Sequence, residues 1–529
     1  MNEMANSGVD RVEVPPMSER SRLGLGIVVL SLVLGLLGDG LLRASPWGIN
    51  VFLWLGSLVL GVIGLLEWRG IKASGEGRWL VVPALFFAAS VAWRASPVLI
   101  FLNILALLVT LALAAWRTRK GQIRLAGMAE YLLSLFVAGL NGVFGPFILA
   151  FKIEWGTIPR TGWSGQLLAV GRGVLITMPL LFVFGGLLMA ADAIFENLVI
   201  DLFDIDIDEL FGHFFWFGFW AWLSAGFLRQ MLLDDSEPIQ QVEKIQRPSF
   251  AKLGIIEVGI LLGALNLLFV SFVLVQFRYF FGGAALVEVT SDLSYAEYAR
   301  QGFFELVMVA ALLLPLLLLV HWLLRTENPR HETLFRVLAG ALIALLYVIM
   351  VSALQRMRLY QNEFGLTELR LYTTAFMGWL AILFAWFIAT VLRGQRERFV
   401  FGALISAFAT LALLQLLNPD ALIVRTNVGR HIASQSASED TSDTIRRTRQ
   451  PFDSYYVTTL SADSVPTLIN SLSQIKESER CQVAARILDD WSPPEEGIDW
   501  RTWNWARYRA SQTVQQHLGT LQTMACLDR

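Results

Sequence analysis

The sequence predicts an all-α polytopic transmembrane helix bundle of about 11–12 spans, with a small C-terminal α-helical soluble domain. Three observations predict it. Apolar stretches of bilayer length follow one another from Leu23–Leu42 to Phe399–Leu417. Such stretches can be solvated only by lipid or by each other. Hydrophobic residues make up 55% of the chain and charged residues 16%, too little charge to cover a soluble protein of this length. The character then changes at Asn418, after which the chain is polar with short helical patches.

Taken in order, a polar arm covers residues 1–22 and the bundle covers 23–417. The first span follows the arm, is long for a signal-peptide core and is followed by Arg43, so it is read as retained. The later spans are Ile49–Glu67, Trp79–Trp93, Pro97–Trp116, Met128–Ala150, Ala169–Ala191, Phe211–Leu233, Leu253–Phe277, Gly302–Leu324, Leu334–Leu354, Leu371–Leu392 and Phe399–Leu417. The third is short for a full crossing. Tryptophans such as Trp47, Trp68, Trp79 and Trp93 stand at span ends, the interfacial belt position.

Basic residues set the sidedness. Arg11, Arg20 and Arg22 in the N-terminal arm, then Arg69, Lys72 and Arg78, then Arg117, Arg119, Lys120 and Arg124 fall on alternate sides, while the intervening loops hold Arg43 and Arg94. This fits a cytoplasmic N-terminus. The later clusters (Lys244, Arg247 and Lys252; Arg325 and Arg330; Arg393, Arg396 and Arg398) stay on the same side only if Met128–Ala150 does not cross. That segment holds Asn141, Gly142, Gly145 and Pro146, a poor helix interior. A re-entrant or interfacial segment is therefore expected, with an odd number of crossings and an external C-terminal domain. The alternative is an ordinary crossing with weakly biased charges.

Asn418-Pro419 can end the last span and open a helix, Asn as cap and Pro in the first turn. Residues 418–450 read as that helix plus a flexible linker, with Ser434–Ser442 polar and acidic. Residues 451–529 read as a small helical domain with patches at Ser464–Leu472, Glu477–Leu488 and Thr502–Leu518. Trp491, Trp500, Trp503 and Trp505 are expected in its core. Cys481 and Cys526 are the chain's two cysteines. They can staple two helices if the domain is external, or remain buried thiols.

Five stretches carry a family resemblance: LLMAADAIFENL (Leu187–Leu198), YAEYARQGFFELV (Tyr295–Val307), LLNPDALIVRTNVGR (Leu416–Arg430), LSADSVPTL (Leu460–Leu468) and WRTWNWARYRA (Trp500–Ala510). From about Gly171 onward the chain resembles a family of uncharacterised bacterial multi-pass membrane proteins classed as a domain of unknown function. The resemblance implies a membrane module with a helical tail in a bacterial cytoplasmic membrane. It implies no activity, substrate or catalytic residue.

The polar features offer candidate sites. The stretch 192–209 holds Asp192, Glu196, Asp201, Asp204, Asp206, Asp208 and Glu209 with no Lys or Arg between Arg172 and Arg229. It reads as an interfacial helix with solvated carboxylates, or more sharply as a cation-attracting vestibule or a dock for a basic protein. It is not an EF-hand, because Glu209 stands where that loop needs Gly. A capping box at Ser294 and Glu297 starts a helix at Tyr295 that runs to Leu324. Arg300 pairs with Glu297, and Glu305 is a functional acid or pairs across helices with Arg278 or Arg172. In Leu253–Phe277, Gly259, Gly263 and Asn266 share a face suited to close packing, or to lining a polar path, and Glu257 sits at the boundary. No metal-ligand spacing, phosphate loop or serine elbow occurs. A net charge of −2 argues against nucleic acid. No cofactor is expected. The bilayer is one expected partner, and a protein bound through 192–209 or the C-terminal domain is another. Three function classes stay open: a scaffold or sensor, a transporter or channel for a small solute or cation, and an enzyme acting on lipid-linked or envelope substrates. The balance leans to the non-enzymatic classes.

Overall fold

A computed structural model describes residues 18–71, 76–117, 128–153, 207–233, 253–290, 303–324, 329–437, 452–492 and 499–525, with isolated positions between 177 and 195 and at 497. Among these residues there are helices and no β-strands. The bundle helices are α1 (Glu19–Leu42), α2 (Ile49–Trp68), α3 (Val81–Trp93), α4 (Pro97–Arg117), α5 (Met128–Lys152), α6 (Ile207–Leu233), α7 (Ile255–Thr290), α8 (Phe303–Leu323), α9 (Pro329–Phe364), α10 (Glu368–Thr390) and α11 (Glu397–Leu417). Among the described residues nine helices are long and apolar enough to cross a bilayer. The protein is an integral, multi-pass membrane protein.

The helix ends define two faces. The C-terminal domain touches one of them. The Ile49 N–H donates to the Trp503 carbonyl (2.8 Å), Asn504 donates to the carbonyls of Val91 and Arg94 (both 2.9 Å), and the Glu368 N–H donates to the Tyr456 hydroxyl (2.8 Å). The ends of α1, α3 and α9 therefore share a domain face with the starts of α2, α4 and α10. On the opposite face Arg69 pairs with Glu19 at 3.5 Å. Leu253, just before α7, donates to the carbonyl of Leu323 at the end of α8 (2.9 Å).

α1 and α6 run antiparallel in close contact. His213 Nδ1 lies 2.6 Å from Asp39 at the domain end. The approach requires glycine: a Cβ on Gly38 would lie 2.4 Å from the Trp220 ring, and one on Gly35 2.7 Å from Ala221 Cβ. α5 is long and apolar enough to span. Near its start Tyr131 packs with Leu113, close to the end of α4. At its finish Leu149 and Ile153 pack at Gly24, close to the start of α1. The stretch from Asn141 to Pro146, expected to be a poor helix interior, is helical throughout. The reason is close packing: Gly145 lies against Gly226, and the Asn141 side chain is tied to the Val137 carbonyl (3.0 Å) and to Arg229 (3.0 Å).

Several predicted bounds shift. α7 runs on to Thr290 and α9 to Phe364, beyond the predicted spans; in α9 the added turns, residues 355–364, are mostly polar. α3 gains length from a 3₁₀ turn at Glu76–Leu80. The start of the helix predicted from Tyr295, with Arg300, lies outside the described residues.

Beyond Asn418 come α12 (Pro419–Ala437), α13 (Ser454–Thr459), α14 (Val465–Ser471), α15 (Glu477–Trp491), α16 (Trp505–Gln516) and α17 (Leu518–Met524). Asn418 takes a left-handed conformation (φ 50°), and its side chain accepts from the Ala421 N–H (3.2 Å), the predicted cap. α12 extends to Ala437, so Ser434–Ala437 is helix and not linker. Phe452 then packs 5.4 Å from His431 of α12. One hydrophobic core joins Leu468, Val483 and Ala510 of the domain to Phe87, Leu99 and Leu414 of the bundle. Trp500, Trp503 and Trp505 are exposed, not core. Small residues such as Ala506 and Ala510 take the inward face of α16 instead.

Candidate functional site

The densest buried polar cluster lies where the domain meets the bundle. The α3–α4 turn supplies Arg94, Ala95 and Ser96. Ending α3 there, with Pro97 opening α4, leaves a short turn whose groups need partners. The Arg94 side chain is 10% exposed and that of Asp463 3%, and they form a 2.9 Å ion pair. The second carboxylate oxygen of Asp463 accepts from the Ala95 N–H (2.6 Å). Arg94 Nε donates to the Gln415 carbonyl (2.8 Å), Nη2 donates to it as well, and the guanidinium lies 4.6 Å over the Trp93 ring. Gln415 in turn donates to Asn103 within the bundle (2.8 Å), and both are fully buried. Such a cluster has fixed geometry, since each charge is desolvated and bound only in this arrangement.

Asp420 lies beside it, in the first turn of α12, fully buried. One oxygen accepts from the Ser461 N–H (3.2 Å) and hydroxyl. Among the described residues the other has no hydrogen-bond partner. Burial raises the Asp420 carboxyl to about 6, the Ser461 hydrogen bond opposes the rise, and the charges of Glu368 and Asp463 add to it. Ser96 and Tyr372 hydrogen-bond at 3.2 Å on the bundle side. Two buried carboxylates, Asp463 and Asp420, thus share this junction with the half-buried Glu368 nearby, and Arg94 pairs with Asp463. The arrangement can fasten the domain and can take up a proton. Among the described residues no group of His, Cys, Asp and Glu could hold a metal ion.

The residues predicted from sequence stand elsewhere. Asp192 is exposed, and Glu196 lies outside the described residues. Arg278 is on α7, and its side chain lies outside the described set. Glu257 and Glu305 are both exposed. Glu257 begins α7 on the face opposite the domain, while Glu305 lies 18 residues before Leu323, which adjoins that face, or about 27 Å along α8. The two do not meet. Asn266 donates to the Leu338 carbonyl on α9 (3.0 Å), and Gly259 packs against Leu334, so this face is used for helix packing. A Cβ on Gly263 would meet nothing within 4 Å among the described residues, so Gly263 does not share that role. Cys481 is disulfide-bonded, and the chain's other cysteine is Cys526.

The family described as Domain of unknown function (DUF4153) matches residues 81–471, about three quarters of the chain. The chain belongs to this family. The DUF4153 match begins well before Gly171, where the sequence resemblance was placed, and stops before Trp500–Ala510. It takes in α3, the bundle from α4 onward and the domain as far as α14, so Arg94, Asp420 and Asp463 all lie inside it. No curated protein and no solved structure matches the chain.

Proposed function

We propose that this protein is a membrane scaffold that holds its helical domain in one fixed pose on the outer face of a cell membrane. The buried Arg94–Asp463 pair carries the reading. It ties a bundle turn to the domain at a point where neither charge could be left alone. The core that runs on from bundle to domain supports the same reading. A transporter needs polar groups that converge along a path, whereas Glu257 and Glu305 lie at opposite ends of the bundle.

Sidedness follows from charge. Helix ends and loops on the face away from the domain carry Arg20, Arg22, Arg69, Arg78, Arg330, Arg393, Arg396 and Arg398. The domain face carries Arg43, Arg94, Arg356, Arg358 and Arg370. The excess supports a cytoplasmic N-terminus and an external domain. An external domain also suits a disulfide joining Cys481 to Cys526.

The partner is a protein bound at the domain face, where Glu209 is exposed beside Arg43. The test is purification of the full chain from its own membrane, beside Arg94→Met. A scaffold predicts a co-purifying protein that the variant loses, with solute flux in vesicles unchanged by Glu305→Gln. Loss of flux in Glu305→Gln would refute the scaffold in favour of transport. Altered membrane lipids or wall precursors on deletion of the gene would refute it in favour of an enzyme.

A further inference from the structure

A cavity of about 460 Å³ lies among α1, α2, α4, α5 and α6. Its lining is almost wholly apolar, from Leu42 and Trp47 at the domain face to Leu58 on α2 and Gly142 on α5. From Ile49 to Leu58 the wall drops about 14 Å at 1.5 Å per residue. One leaflet of a bilayer core is about 15 Å deep. Leu105 and Leu108 on its α4 rim are half exposed, so it opens sideways to lipid. A polar solute would lose its hydrogen bonds there, and at this depth the available apolar molecule is a lipid chain.

The mouth carries a cation. Arg507, in the first turn of α16, donates through Nη2 to the carbonyls of Pro46 (3.3 Å), Trp47 (2.9 Å) and Thr502 (2.8 Å). The side chain of that same Trp47 lines the cavity and donates to the Leu42 carbonyl (3.1 Å). The neighbouring arginines have acidic partners: Arg501 pairs with Asp499 (2.7 Å) and Arg43 with Glu209 (3.9 Å). Among the described residues Arg507 faces no carboxylate. Nε and Nη1 are left to bind an anion, and a guanidinium fork suits phosphate.

We propose that this cavity holds one acyl chain of an anionic phospholipid from the domain-side leaflet, with its phosphate on Arg507. The site would make that lipid part of the junction between bundle and domain. It does not depend on the scaffold reading, since a transporter or enzyme could hold the same lipid.

The test uses the full chain in detergent, freed of lipid and offered dioleoyl-phosphatidylglycerol or dioleoyl-phosphatidylcholine, with retained lipid read by native mass spectrometry. Wild type should keep one phosphatidylglycerol, about fivefold in preference to phosphatidylcholine, whose choline cancels the net charge of its phosphate and is repelled by Arg507. Gly139 lines the cavity, and a Cβ there would meet nothing within 4 Å. Gly139→Phe should therefore fill the space and lose both lipids. Gly139→Leu serves if the larger side chain prevents folding. Arg507→Gln should keep a lipid but lose the preference, and Arg507→Lys should restore part of it. Equal retention of both lipids by wild type, retention of none, or undiminished retention by a folded Gly139 variant would overturn the proposal.

Discussion

Replacing Arg94 by Met removes the cation at the centre of the junction. Asp463 would then keep the Ala95 N–H as a donor but lose its counter-charge, in a site where its side chain is 3% exposed. Breaking one side of a buried pair costs about 3–5 kcal/mol. At about 1.4 kcal/mol per decade, the undocked population should rise by roughly two to three and a half orders of magnitude. Hydrogen exchange of α13 and α14 in the full chain reads this directly, because amides that exchange through local opening speed up by the same factor. The double variant Arg94→Met/Asp463→Leu should recover much of the loss, since no charge is left stranded. Wild-type protection in the single variant would refute the latch. So would a double variant that equals the sum of its singles to within about 0.5 kcal/mol.

Asp420 should make docking pH-dependent. Its docked carboxyl is raised from 3.8 to about 6, so docking is strongest below pH 4, weakens as pH rises to 6 and then levels off, by about 3 kcal/mol in all. Asp420→Asn should flatten the exchange profile across that range and slow exchange at pH 7; an unchanged slope would contradict this. Gly38→Val should drive a side chain into Trp220 and cost about 1–3 kcal/mol, seen as a lower melting temperature in detergent, whereas Gly40→Val, where a Cβ meets nothing within 4 Å, should cost less than Gly38→Val. Glu305→Gln should leave thermal stability within about 0.5 kcal/mol of wild type, as expected for an exposed residue.

Periodicity and caps made the fold legible. Apolar runs of bilayer length marked the spans, and Asn418-Pro419 marked the start of α12. The close contact of α1 with α6 had a weaker signal, the Gly35-x-x-Gly38 spacing inside an apolar run. The junction was not legible. Arg94 and Asp463 lie 369 residues apart, and no local rule pairs residues across that distance. The hints were a single basic residue in a tight turn between spans and an Asp inside the LSADSVPTL stretch. The exposed tryptophans were misjudged because aromatic clustering in sequence is blind to which way a helix faces. The acids singled out in the bundle failed to converge for a plainer reason: depth in a helix says nothing of which neighbour it meets.

The return of Phe452 to His431 changes how the segment after α12 should be regarded. Phe452, just ahead of α13, packs its ring on α12, so the domain is held to the bundle by that contact as well as by the covalent chain. A protease cut between Ala437 and Phe452 should therefore leave two fragments that elute together in detergent and separate only on denaturation.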